Sequence, residues 1–200
     1  MKTIILATGN RDKAREIKAM LDHKYEVLTM REAGIVVDIV EDGETFEDNA
    51  LIKVRTIKPY VKDPEIIVMG DDSGLSVDHL DGAPGVYSAR YAGEDVTYAD
   101  NNRKLLEALE GVPACERGAE FVSVVAMILP DGQEKTFRGT VRGSIAQDFT
   151  GEGGFGYDPL FIAEETGRTY AEMSAEEKNA SSHRARAVAQ VKQFLAAYEG

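Results

Sequence analysis

Ile66-Ile67-Val68-Met69-Gly70-Asp71-Asp72-Ser73-Gly74 is the stretch on which the fold and the chemistry of this chain both turn. Its apolar half predicts a short buried strand, and its polar half predicts the turn that ends it. Two carboxylates and a hydroxyl therefore arrive where a strand gives way to a loop, the place where open α/β sheets keep their chemistry. Successive side chains on a strand point to opposite faces, so Asp71 and Asp72 are expected to serve different tasks. The bland alternative is a solvated turn, since each of these four residues is a common turn former.

Outward from that stretch, 200 residues are enough for a real core, and we expect one domain over 1–200. Thirty-five Asp and Glu against 23 Lys and Arg leave a net charge of −12, which opposes binding to polymeric nucleic acid. A small anionic ligand remains compatible with that balance if the few basic residues converge and a divalent cation comes with it. Cys115 is the only cysteine, so neither an intrachain disulfide nor a cysteine-based zinc cluster is expected. The apolar run before Thr8 is too short for a signal peptide, and no segment approaches the ~20 apolar residues that span a bilayer. The expectation is a cytoplasmic protein.

In chain order, Thr3 to Ala7 predicts a buried strand, Thr8-Gly9-Asn10 a sharp turn, and Arg11 to Leu21 a helix with Ala14, Ile17 and Leu21 on one face. This arrangement aims backbone N–H groups and the positive dipole end at whatever lies above the turn. Lys13, in the first helical turn, opposes that dipole, which suggests an anion nearby, the alternative being a solvated lysine. Ile35 to Val40 predicts a second strand. Glu41-Asp42-Gly43-Glu44 follows, with Glu41 the better metal candidate, and Thr45-Phe46-Glu47-Asp48 reads as a capping-box helix start. Ala50, Val54 and Ile57 supply that helix's buried face, and Pro59 stops it. After the Asp-Asp-Ser-Gly turn, Leu75 to Val77 is a short strand. Gly82 to Tyr91 is a structured loop in which Arg90 is suited equally to a phosphate or carboxylate and to an intersubunit contact. Thr97 to Leu109 is a capped helix ending at Gly111.

Phe121 to Leu129, the turn Pro130-Asp131-Gly132 and Lys135 to Ser144 predict a hairpin, which makes the sheet mixed. Gly151 to Pro159 crowds four glycines around Phe155 and Tyr157, so that backbone can approach a flat ligand while an aromatic ring stacks on it. Phe161 to Ala163 is a short strand, Ser174-Ala175-Glu176-Glu177 a capping box, and Val188, Val191, Leu195 and Tyr198 the stripe of the last helix. Lys178, His183 and Arg184 form the densest basic patch of the acidic chain.

Thr8-Gly9-Asn10 with Lys13 and Glu16, Asp71 to Leu75, Gly85 to Tyr91, Gly154 to Pro159, and Lys178 through Ser182-His183-Arg184 together resemble the inosine triphosphate pyrophosphatase family, in order and over residues 1 to about 198. The resemblance implies an α/β fold with an elongated central mixed sheet flanked by helices, in two lobes with a cleft between them. It implies hydrolysis of ITP, dITP and XTP to the monophosphate and pyrophosphate, with Mg2+ and as a homodimer. Carried over by residue, Thr8, Gly9, Asn10, Arg11, Asp12 and Lys13 bind the triphosphate, and Glu41 and Asp72 bind metal, with Asp72 also the proton acceptor. Ser73, Phe155, Gly156, Tyr157, Asp158, Lys178, His183 and Arg184 contact the substrate. Two alternatives stand beside this: a Maf-like pyrophosphatase for pyrimidine or modified nucleotides, and a nucleotide-binding module without turnover.

Overall fold

The computed structural model describes residues 2–21 and 24–198. Among these, six strands lie in one mixed sheet of order β2-β1-β3-β4-β5-β6: β1 (Lys2–Leu6), β2 (Tyr25–Thr29), β3 (Ile67–Val77), β4 (Gly118–Ile128), β5 (Glu134–Ile145) and β6 (Phe161–Ala163). The helices are α1 (Arg11–Met20), α2 (Phe46–Ile57), α3 (Tyr98–Ala108), α4 (Ala175–Ser181) and α5 (His183–Tyr198). β1 pairs in parallel with β2 and with β3, while β5 and β6 pair antiparallel. The mixed α/β architecture expected from the sequence is therefore present.

The chain divides into two compact units. The first holds the described residues within 1–72, 123–139 and 184–200, the second those within 73–122 and 140–183. In the first, β1 and the start of β3 are apolar without alternation, as strands covered on both faces must be. Ile4, Leu6, Ile67 and Met69 pack with Ile17 of α1 and with Val188, Val191 and Leu195 of α5. In the second, Leu75, Val77, Phe121, Val141, Phe161 and Tyr170 enclose the core with Leu105 and Leu109.

Helix starts follow their local chemistry. Thr45, Thr97 and Ser174 each accept a hydrogen bond from the N–H three residues on, and Asp48, Asp100 and Glu177 in turn accept one from the cap's own backbone N–H. α3 gives way before Gly111, whose φ of 77° suits glycine.

Two expectations are corrected. Ile35–Val40 is not a strand: those residues have no regular structure, and Val36 is 91% exposed. The edge position beside β1 is taken by Tyr25–Thr29, in register from Lys2↔Tyr25 to Leu6↔Thr29. Nor is Asp71-Asp72-Ser73-Gly74 a turn. β3 runs unbroken from Ile67 to Val77, so both carboxylates sit inside a strand, at 1% and 6% exposure, and the solvated-turn alternative fails.

Candidate active site

Because β3 is continuous, its pleat sends the side chains of Asp71 and Asp72 to opposite faces, and each has its own set of partners. All the partners in this paragraph and the next belong to the first unit. Asp71 Oδ1 accepts from Ser123 Oγ of β4 at 2.5 Å. Asp71 Oδ2 lies 3.1 Å from Lys13 Nζ and 3.4 Å from Arg184 Nη2. Arg184 Nη1 donates to Glu16 Oε2 at 2.5 Å. Burial alone would raise the Asp71 carboxyl, but Arg184, Lys13 and the Ser123 hydroxyl overcome it and hold the group well below the usual carboxylate range. Burial pulls Lys13 down, with Asp71 acting against it. The anion that Lys13 required is thus first of all Asp71, which serves as counter-ion to two cations.

On the other face, Asp72 Oδ1 accepts from Lys53 Nζ at 3.0 Å, and Asp72 Oδ2 is buried with no hydrogen-bond partner. Lys53 Nζ also reaches Glu41 Oε2 at 2.9 Å and the Asp71 carbonyl at 2.9 Å. Burial raises the Asp72 carboxyl, while Lys53 and Lys13 act the other way without reversing the shift. Glu41 is held at the end of an irregular segment by a clamp just beyond it: Gly43 N–H donates to Asn49 Oδ1 at 2.8 Å. A Cβ at Gly43 would lie 2.6 Å from that of Asp48, so this approach needs glycine. Lys53 was missed by the sequence reading. The signal was there, since position 53 falls on the Ala50, Val54 and Ile57 face of α2, where a lysine is buried only with partners.

The turn before α1 is built by side chains. Thr8 Oγ1 accepts from Asn10 N–H at 3.1 Å, and Asn10 Oδ1 accepts from the N–H groups of Asp12 and Lys13, each at 3.0 Å. Two of the backbone donors expected to face an anion are therefore occupied by the cap. What remains is the helix dipole, the Lys13 ammonium and the exposed Gly9 and Arg11. Thr8, Gly9, Asn10 and Arg11 line a cavity of about 830 Å³, together with residues that include Ile35 and Val36.

In the second unit, Asp158 accepts from Phe155 N–H at 3.0 Å and from Lys178 Nζ at 2.5 Å. A Cβ at Gly154, whose φ is 70°, would fall on that carboxylate. Asp158 therefore ties the glycine-rich loop to α4. Lys178 Nζ also lies 4.5 Å from the centroid of the Phe155 ring. Of the two aromatics offered for stacking, Tyr157 is a core residue: it is buried, its hydroxyl donates to Ser88 O at 2.7 Å, and burial raises its pKa. Phe155 is half-buried, 5.9 Å from Tyr98, and Gly156 O accepts from Asn102 Nδ2 at 2.8 Å. The His183 ring stacks on Phe121 at 4.4 Å. Ser73, the residue after Asp72 on β3, is half-buried. Lys178, His183 and Arg184 are all buried, Lys178 beside Asp158 and Arg184 beside Asp71 and Glu16.

The profile of the Ham1 family matches residues 4–194. A dITP/XTP pyrophosphatase of Clostridium perfringens is 47% identical over 98% of both chains. One of Bacillus subtilis is 43% identical over 98% of both. Among solved structures, the Ham1 protein of Staphylococcus aureus superposes with a TM-score of 0.86 at 40% identity, covering 98% of this chain and all of that one. A HAM1 protein of Coxiella burnetii gives 0.85 at 39%, over 98% and 99%. A family match over nearly the whole length, with relatives of this identity over the same span, is what the paired carboxylates, the capped first turn and the glycine-rich loop already suggested: the chain belongs to the Ham1 family.

Proposed function

We infer that this protein hydrolyses non-standard purine nucleoside triphosphates, ITP, dITP and XTP, to the nucleoside monophosphate and pyrophosphate. The observation that carries the reading is the division of labour on β3. Asp71 is spent on Lys13 and Arg184, while Asp72 keeps one buried oxygen without a partner. The pyrophosphatase names of the relatives support the same chemistry, and none of them points to a pyrimidine-directed, Maf-like activity.

Mg2+ is part of this proposal. Among the described residues no group of three or more His, Cys, Asp and Glu suits a metal. Glu41 and Asp72 do offer two oxygen ligands, and Mg2+ is commonly held by one or two carboxylates plus substrate phosphates. The unpartnered Asp72 Oδ2 fits that role. When bound, the cation would neutralise phosphate charge and polarise the attacking water. The chain's own residues do the rest. Lys13 and the α1 dipole attract the polyphosphate. Lys53 holds Glu41 and Asp72 together. Asp72 orients the water and takes up its proton. In the second unit, Lys178 and His183 would favour a 6-oxo acceptor over the amino donor of adenine, because adenine would leave a buried donor unpaired at ~1–3 kcal/mol each. Phe155 would stack on the base.

The reading also includes a homodimer and a cytoplasmic location; sedimentation would test the first. Among the described residues no helix is long and apolar enough to cross a membrane. Pyrophosphate release should be fastest with ITP and XTP when these are compared with dUTP, dTTP and ATP at equal Mg2+, and faster turnover of a pyrimidine would overturn the assignment. Saturable ITP binding with no pyrophosphate release would favour a non-catalytic module. Lys13→Ala should raise KM for ITP roughly 10- to 100-fold with a smaller change in kcat, as expected from losing one charge-assisted hydrogen bond worth ~1.5–3 kcal/mol. An unchanged KM would remove Lys13 from the phosphate contacts.

A further inference from the structure

The three N–H protons of Lys53 have three acceptors: Glu41 Oε2 at 2.9 Å, Asp72 Oδ1 at 3.0 Å and the Asp71 carbonyl at 2.9 Å. At 6% exposure this ammonium is a monovalent cation resident between the two carboxylates assigned to the divalent one. A divalent ion that takes up Glu41 and Asp72 must draw charge from Lys53, and a buried ammonium parted from its anions is strongly disfavoured unless another anion replaces them. The nearby Asp71 side chain is already held by Lys13, Arg184 and Ser123. The replacement must therefore come from outside, and a polyphosphate is the anion that arrives with the metal.

Resting on the reading of Glu41 and Asp72 as cation holders, we propose that Lys53 couples the two ligands: a divalent cation binds this pair tightly only together with a polyphosphate, which takes over the Lys53 ammonium. Linkage makes the effect reciprocal, so the cation raises polyphosphate affinity by the same factor. Lys53 is thereby a positioning residue that keeps the empty pair neutralised and suppresses metal binding without substrate.

Titration with Mn2+, following the electron paramagnetic resonance of the free ion in the absence of nucleotide, tests this directly. Lys53→Met should bind Mn2+ at least about tenfold more tightly than the wild type, and adding Asp72→Asn should abolish the gain. Lys53→Gln keeps an N–H donor for the carboxylates and loses only the charge. It should show the same ordering, with a melting temperature that Mn2+ alone raises more than it raises the wild type's. Equal Mn2+ affinities in the wild type, Lys53→Met and Lys53→Gln would overturn the coupling and leave the cation site standing. Absence of Mn2+ binding in every protein, even with a non-hydrolysable α,β-imido analogue of ITP, would instead overturn the cation reading beneath it.

Discussion

Asp72→Asn is expected to lower kcat for ITP by about 10³-fold or more, because a carboxylate that gathers a metal-polarised water contributes several kcal/mol of charge stabilisation to the transition state. The amide has nearly the same shape. Its oxygen can still accept from Lys53, which keeps Glu41 and the Asp71 carbonyl as partners, so the fold should persist. Release of pyrophosphate under saturating ITP and Mg2+, with a thermal melt as control, measures both halves. A kcat within tenfold of wild type, in a variant that melts normally, would take Asp72 out of the mechanism.

Asp71→Asn, one position away, should behave in the opposite manner and act first on stability. Its carboxylate is the anion beneath Lys13 and Arg184 and is almost wholly buried. Removing one partner of a buried ion pair typically costs ~3–5 kcal/mol, because the surviving charges are left uncompensated. In a chain of this size that corresponds to a fall in Tm of roughly 6–20 °C. The pH dependence gives the change its own signature. A carboxyl whose folded pKa is depressed contributes its stability fully above the unfolded value of about 3.9, and that stability is lost as pH falls toward the folded value. Urea midpoints of the two proteins should therefore stay apart by a constant amount above about pH 5 and converge as the solution becomes more acidic than about 3.9. Equal midpoints at neutral pH would show that Arg184 and Lys13 find adequate partners without Asp71.

These two carboxylates also mark how far the sequence could be read. The strand period separated their tasks in advance, since adjacent residues on a strand must face apart. Which task fell to which was not legible, because it depends on Lys13, Ser123 and Arg184, residues 58, 52 and 113 positions distant from Asp71. Turn chemistry was misread for the same reason. Asp-Asp-Ser-Gly has the composition of a turn, but cations from the packed helices and the Ser123 hydroxyl of β4 meet its two carboxylates, and β3 continues through it.

Ile35–Val40 failed in the converse way. Its β-branched run suits a strand, but a strand needs an edge to pair with, and the edge beside β1 belongs to Tyr25–Thr29. Lys53 went unnoticed because a lysine among apolar helical positions declares only that a buried anion exists, not which one. Local signals were sufficient where the deciding partner lay within one turn: the Thr45, Thr97 and Ser174 caps, the apolar faces of α1 and α5, and the glycine after α3. By itself, then, the sequence determined the helices and their ends, the mixed α/β class and the residue types that carry the chemistry, because these are settled by periodicity and by contacts a few residues long. Only the tertiary structure decided which strand took the sheet edge, which cation met which carboxylate and which aspartate kept an oxygen to spare, because a buried charge is governed by whatever the fold brings within about 3–4 Å of it.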